Sequence, residues 1–434
     1  MKKAIAGLLS AAVLALSLAG CGGGSGSSAA TAGGSTAPQN STAAGAVKEL
    51  DVFWFADGGE TAAMEKLISE YEGMHPEIKI NLLEVPFEDM KNKIMMSVSG
   101  GEAPAMARTT ESIISAVHEA TVDFSDYVDD KDAFLSQFIG SLQNYYVVNG
   151  KICAVPTDVT ANGLIYNKTA FDKAGVSVPT GPDDIWTWDE FVAALKTVME
   201  KGGVQYGMVI DNPSHRWSTI LYEFGGSIAT EAGGNLSSPE GLAAIEFTKQ
   251  LFDEGIVPKS TWLGGEDPNN MFRSGQVAAH LSGNWMLTNY RDNIKDFEWG
   301  VTYMPVKENR SSVPGGKQLT AFAGTGVEQE AADFILWVTG QEQNAQYCEE
   351  SLFISPRLDN ANLNYSFGSD FFAIFADELA NTVPQASFDW GYPGLSAQMG
   401  AVLQEEFPQV ISGDVTPAQL AQDVDDATNS VIKP

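Results

Sequence analysis

The chain of 434 residues is poor in the groups on which most site chemistry depends. It has three cysteines and four histidines. The histidines are scattered, and neither HExxH nor a CxxC pair occurs, so a metal site has no support. There is no GxSxG elbow for a serine nucleophile. There is no Walker A loop either, because Lys317 follows Gly315-Gly316 but precedes Gln318. No cofactor is expected. Basic residues are also scarce, 25 Lys and Arg against 56 Asp and Glu, for a formal net charge of −31. That balance argues against a nucleic-acid partner, whose phosphates need Lys and Arg, and against adsorption to anionic lipid. A solvated acidic surface is the expected result. No segment after the first 20 residues looks membrane-spanning, and no repeat recurs at a solenoid period. Paired carboxylates for glycoside hydrolysis have no motif, although acidic residues are abundant enough to leave such a pair open.

What is present begins with Met1-Lys2-Lys3 and an apolar run, Ala4 to Leu16, broken only by Gly7 and Ser10. Its length and flanks fit a secretory h-region better than a membrane span. Leu18-Ala19-Gly20-Cys21 resembles a bacterial lipobox. The resemblance implies cleavage before Cys21 and lipidation of its thiol; the other reading is an ordinary signal peptide cut nearby. Residues 1–20 then form a lipoprotein signal peptide. Residues 21–46 form a lipidated cysteine and a flexible tether of Gly, Ser, Ala and Thr, GGGSGSSAATAGGSTAPQNSTAAGA. Such a tether has an r.m.s. span of about 25–30 Å. With Cys21 lipidated, Cys153 and Cys348 remain, and two unpaired core thiols are favoured over a disulfide.

From about Val47 the chain is long enough for a large core. LDVFWFADGG reads as a strand with Val52 and Trp54 on one face and Phe53 and Phe55 on the other, apolar on both sides as in a sheet buried between helix layers. TAAMEKLISEYEG places Met64, Leu67, Ile68 and Tyr71 on one helix face. IKINLLEV, FEDMKNKIMMSVSGG and APAMAR continue as strand, helix and strand, which predicts a mainly parallel sheet. GKICAVP and NGLIYN read as two short strands. TWDEFVAALKTVME carries a capping box from Thr187 to Glu190. SPEGLAAIEFTKQLFDEG starts with Ser238 as cap and Pro239 at the first helical position. YGMVI, QVAAHLSG and EWGVTYMP read as strands, and helices dominate after about residue 325.

Four stretches together carry a family resemblance: HPEIKINLLEVPFEDMKNKIMMSVSGGEAPAMAR; GKICAVPTDVTANGLIYNKTAFDKAGVSVP with TWDEF after it; MFRSGQVAAHLSGNWML with GVTYMPV; and GGKQLTAFAGTGVEQEAADFILWVTGQE. From about residue 48 to the C-terminus the chain resembles the bacterial extracellular solute-binding proteins of ABC importers, specifically the sugar-binding family that includes maltose-binding protein. Ala105 departs from the Asp that the family usually has after its Ala-Pro pair. The resemblance implies an α/β, two-lobed periplasmic-binding-protein-like (type II) fold with a hinge and an inter-lobe ligand cleft. Lobe 1 is placed at 47–158 plus 302–355, and lobe 2 at 159–301 plus 356–434. It also implies a monomeric receptor for a sugar or short oligosaccharide, with ABC permease transmembrane subunits as partners and the membrane reached through the lipid anchor. A cell-surface glycoside hydrolase and a binding protein for an acidic, non-sugar solute remain as alternatives.

A sugar needs donors and acceptors for its hydroxyls and an aromatic plate for its C–H face, and in α/β sheets these collect past the carboxyl ends of strands. Asp57 follows the first strand and is either an acceptor or a turn residue. Arg108 closes APAMAR and Thr109 follows it, and Arg108 matches a cleft position of the family. Asp158 stands at the first crossing between lobes, where the family often contributes a polar contact. Trp217, in NPSHRWS, is a candidate for the second-lobe wall, whereas His215 is read as structural. Trp285 in LSGNWML matches the stacking tryptophan of the sugar binders and is the first choice; Trp390 in FDWGYPG is the second. Gly316, with Gly315, lets the backbone approach a ligand.

Overall fold

The computed structural model describes residues 47–432 except 212. The leader, Cys21 and the tether lie outside the described residues. No helix among the described residues is long and apolar enough to cross a membrane.

Eight strands form the main sheet: β1 (Lys48–Trp54), β2 (Ile78–Glu84), β3 (Met106–Thr109), β4 (Val155–Asn167), β5 (Tyr206–Ile210), β6 (Val277–Gly283), β7 (Trp299–Thr302) and β8 (Pro314–Ala321). Their order is β2-β1-β3-β8-β4-β6-β5, with β7 also paired to β4. β1 pairs in parallel with β2 and β3, and β6 with β5. The four remaining pairings, all involving β4 or β8, are antiparallel. The sheet is therefore mixed rather than mainly parallel.

The reason lies in β4. GKICAVP and NGLIYN were expected as separate short strands, but Val155–Asn167 is one strand of 13 residues, of which all except Tyr166 are buried. Its first half, Val155–Ala161, pairs with β8. Its second half, Asn162–Tyr166, pairs with β6. One strand thus belongs to two half-sheets, and β8, whose two glycines hid its strand character, runs back against it.

The expected faces of β1 are realised. Leu50, Val52 and Trp54 enter one apolar cluster, and Phe53 and Phe55 enter a second with Met90, Ile94, Ile113 and Phe322. Helix Glu60–Met74 buries Met64, Leu67, Ile68 and Tyr71. The capping box at Thr187 and Glu190 is formed, and Ser238 caps the helix that begins at Pro239. Cys153 and Cys348 are both buried free thiols, with no disulfide between them.

Candidate functional site

A cleft of about 400 Å³ opens where several strands end. Past the end of β1 it is lined by Phe55 and Asp57, and past β3 by Thr110, Glu111 and Ser112. Phe87 and Lys91, one turn apart on helix Phe87–Gly100, add to the same side. From the other half-sheet come Ser214, His215 and Arg216 past β5, and Trp285 past β6. Gly315, Gly316 and Lys317 of β8 form part of the lining, beside Trp390 and the opening turns of helix Leu395–Ser412. Residues delivered by four strand ends of two half-sheets meet here, as the carboxyl-end rule for α/β sheets anticipates.

Gly316 is there because nothing larger fits. A β-carbon on it would fall 2.4 Å from the carbonyl oxygen of Asp158 on β4. The next residue, Lys317, reaches Asp57, with Nζ 2.9 Å from Oδ2. Burial pushes the Asp57 carboxyl up, but Lys317 and Arg108 outweigh it and hold it below the usual range. Arg216 forms the second ion pair, its Nε 3.0 Å from Oδ1 of Asp211. Burial opposes ionisation of Asp211 too, yet Arg216 and His280 bring its pKa down to about 2. His215 is held well below its usual value by burial and by Arg216. Burial pushes Glu111 up.

The aromatic groups are mostly edge-on or covered. Trp390 is 5 % exposed; its Nε1 donates to Ser218 Oγ at 3.0 Å, and its ring meets that of His215 edge to face at 4.6 Å. Trp285 is 8 % exposed. The guanidinium of Arg216 lies 4.2 Å from its ring centroid. A β-carbon on Gly283 would fall 1.9 Å from Trp285 Cζ3, so the ring also rests against bare backbone. Phe87, 54 % exposed, is the open aromatic face, supported from behind by Phe55 at 5.0 Å.

Of the residues singled out in the sequence, Asp57, Trp285, Gly316 and Trp390 line the cleft, and Arg108, Thr109, Asp158 and Trp217 do not. Arg108, expected at a cleft position, is fully buried. Its Nη2 lies 3.2 Å from Glu60 and 3.3 Å from Asp158, and its Nη1 donates to the Phe55 carbonyl at 2.6 Å. It braces the cleft floor from below. Asp158 is consumed by that pair and by a bond from Thr157. Thr109 turns inward to donate to the Gln318 carbonyl, and the half-buried Thr110 lines the cleft instead. Trp217 starts a helix with its ring in the core, against Phe407 and hydrogen bonded to Thr248. The wall position belongs to the two residues before it, His215 and Arg216. Sequence reasoning missed Arg216, Lys317, Glu111 and Phe87. Only Arg216 carried a signal, as a cation in the loop past YGMVI.

Residues 66–371 match the family described as bacterial extracellular solute-binding protein. A curated relative, the arabinooligosaccharide-binding protein of Halalkalibacterium halodurans, is 24 % identical over 342 residues, 76 % of each chain. The GacH receptor of Streptomyces glaucescens, solved unliganded and with acarbose, superposes with a TM-score of 0.75 at 21 % identity, over 89 % of this chain and 98 % of that one. A substrate-binding protein from Listeria monocytogenes in complex with cycloalternan gives 0.75 at 22 % identity, over 88 % and 98 %. These likenesses establish the same α/β binding-protein fold, and the family match spans more than half of the chain. The chain belongs to the family of bacterial extracellular solute-binding proteins.

Proposed function

We propose that the protein is the lipid-anchored receptor of an ABC importer, and that it captures a sugar or short oligosaccharide in this cleft. The observation that carries the reading is the balance of charge in an aromatic-bearing cleft. Lys317 is matched by Asp57 and Arg216 by Asp211. Lys91 and Glu111 complete the set with one charge of each sign. Such a site offers many fixed donors and acceptors and no net charge, which suits an uncharged polyhydroxyl ligand better than an acidic solute. Relatives named as arabinooligosaccharide-binding proteins support the same class.

In this reading the lobes, 47–158 plus 302–355 and 159–301 plus 356–434, hinge about β4 and close on the sugar, because the shut state binds it more tightly. The monomer then delivers it to the permease, without turnover of its own. Isothermal calorimetry against maltotriose, arabinotriose and galacturonic acid tests this. Micromolar or tighter binding of a neutral sugar, recovered intact, is expected. Binding of the acid alone, or release of shorter sugars, overturns it. The anchor is tested apart from the ligand: Cys21→Ala moves the protein from the membrane fraction to the soluble one, and retention in the membrane refutes lipidation.

A further inference from the structure

Trp285 lines the cleft and is the obvious plate for a sugar ring, yet little of it is open to a ligand. Its ring rests against Gly283 and lies under the guanidinium of Arg216, 4.2 Å from the centroid. Only 8 % of the residue is exposed, against 22 % of the Arg216 side chain. The more exposed group on this wall is the arginine.

The arginine is also fixed. Nε is ion-paired with Oδ1 of Asp211 at 3.0 Å without hydrogen-bond geometry, and Nη1 lies 3.0 Å from Nδ1 of His215. The indole beneath supplies a cation–π contact. An ion pair at Nε, a hydrogen bond at Nη1 and an indole against one face together restrict the planar guanidinium. Nη2 takes part in no hydrogen bond among the described residues. It carries two N–H donors, and Arg216 lines the cleft.

We propose that Arg216 is a ligand-binding and specificity-determining residue of this cleft: its Nη2 donates to vicinal hydroxyls of the bound sugar, while Asp211, His215 and Trp285 are positioning residues that aim it. The inference rests on the sugar-binding reading above and assigns that wall of the site. Three consequences follow from the geometry. The donor is ordered before the ligand arrives, so little side-chain entropy remains to be lost on binding. Its charge is matched by Asp211, so it selects neutral acceptors rather than anions. Trp285 serves as a shelf for the guanidinium, which explains why a large aromatic at a strand end is so thoroughly covered.

The test uses the full chain with maltotriose and arabinotriose as probes, by calorimetry, alongside thermal melts. For the trisaccharide that the wild type binds, Arg216→Ala weakens binding by at least about 30-fold, the loss expected for bonds from a charged donor. Arg216→Lys does not restore it, because an ammonium cannot span Asp211, His215 and the ligand together. Asp211→Asn, which leaves the arginine but loosens its anchor, falls in between. A purely structural arginine would lower the melting temperature of Arg216→Ala and leave the affinity of the folded protein unchanged; that result overturns the proposal. Should Arg216→Ala fail to fold, phenylglyoxal labelling of the wild type, read by mass spectrometry, decides. Saturating trisaccharide slows modification of Arg216 if the proposal holds, and equal rates overturn it. If the wild type binds no sugar at all, the sugar reading falls and takes this inference with it. That outcome is distinct from wild-type binding that Arg216→Ala leaves intact, which removes the inference alone.

Discussion

Arg108 and Arg216 show how position relative to a strand end separates a brace from a contact: Arg108 lies within β3, whereas Arg216 lies in the loop past β5. Arg108 is enclosed by Glu60, Asp158 and the rings of Trp54 and Phe55, with no exposure. Glu60 meanwhile accepts from the backbone N–H groups of Asp57 and Gly58, so the same network shapes the loop that presents Asp57 to the cleft. Removing the cation leaves two buried carboxylates facing each other. Arg108→Ala is therefore expected to destabilise the fold by about 3–5 kcal/mol, read as a lower urea midpoint; an unchanged midpoint refutes the bracing role. The sequence placed Arg108 correctly at a strand end. It could not show that Glu60, 48 positions earlier, would draw the side chain inward. The same limit explains Trp217: the loop past β5 was recognisable as a wall, but which of its residues points out depends on where the next helix begins. Asp57, Trp285, Gly316 and Trp390 were legible because each sits beside a glycine or a strand terminus whose position the apolar pattern marks.

At the level of elements, strands and helices with regular apolar spacing were readable, and those without it were not. β1 and helix Glu60–Met74 follow their patterns residue by residue. β8 reads PGGKQLTA, with a lysine and a glutamine, because it is buried by pairing on both edges rather than by an apolar face. β4 is similar at its midpoint, where Asp158, Thr160 and Asn162 are all buried. There the strand changes partner, and the edge not yet covered by β6 is satisfied otherwise. The Val159 N–H donates to the Ile354 carbonyl at 2.8 Å, and the Ala161 N–H donates to Oδ1 of Asn284 at 2.9 Å. Asn284 thus extends β6 by one side chain. Asn284→Ala strands a buried N–H, so a loss of about 1–3 kcal/mol is expected, measured by denaturant unfolding. Amide exchange at Ala161 should rise with it, and unchanged protection there would contradict this role of Asn284.

For the whole molecule, acidity sets the response to pH. Two carboxyls that do not line the cleft are raised by burial: Asp389 to about 6, against hydrogen bonds from Ile228, Gln385 and Tyr222, and Glu378 to about 7, against the charge of Arg310. An acid whose folded pKa exceeds its unfolded one, near 4, stabilises the fold fully only below that lower value, and the contribution is lost as pH rises through the folded one. Asp211 behaves oppositely, and its contribution is lost only as pH falls from about 4 towards 2. Between pH 5 and pH 8 the raised pair, joined by Glu223, which burial also pushes up, outweighs His215, whose lowered folded pKa adds stability as pH rises towards about 6.5; repulsion within a chain of net charge −31 acts in the same direction as the carboxyls. The melting temperature is expected to be higher at pH 5 than at pH 8, and to be less sensitive to pH in Asp389→Asn; an equal or reversed order for the wild type contradicts this account. The two buried thiols have a practical consequence. Cys153 and Cys348 are both 0 % exposed, so a maleimide dye applied to the folded binding domain meets no reactive native sulfur there. A single cysteine placed at Lys91 or at Gln404, both on the cleft lining, would take one fluorophore without prior thiol removal. The native scaffold is thus already suited to conversion into a reagentless optical sensor for whatever it binds.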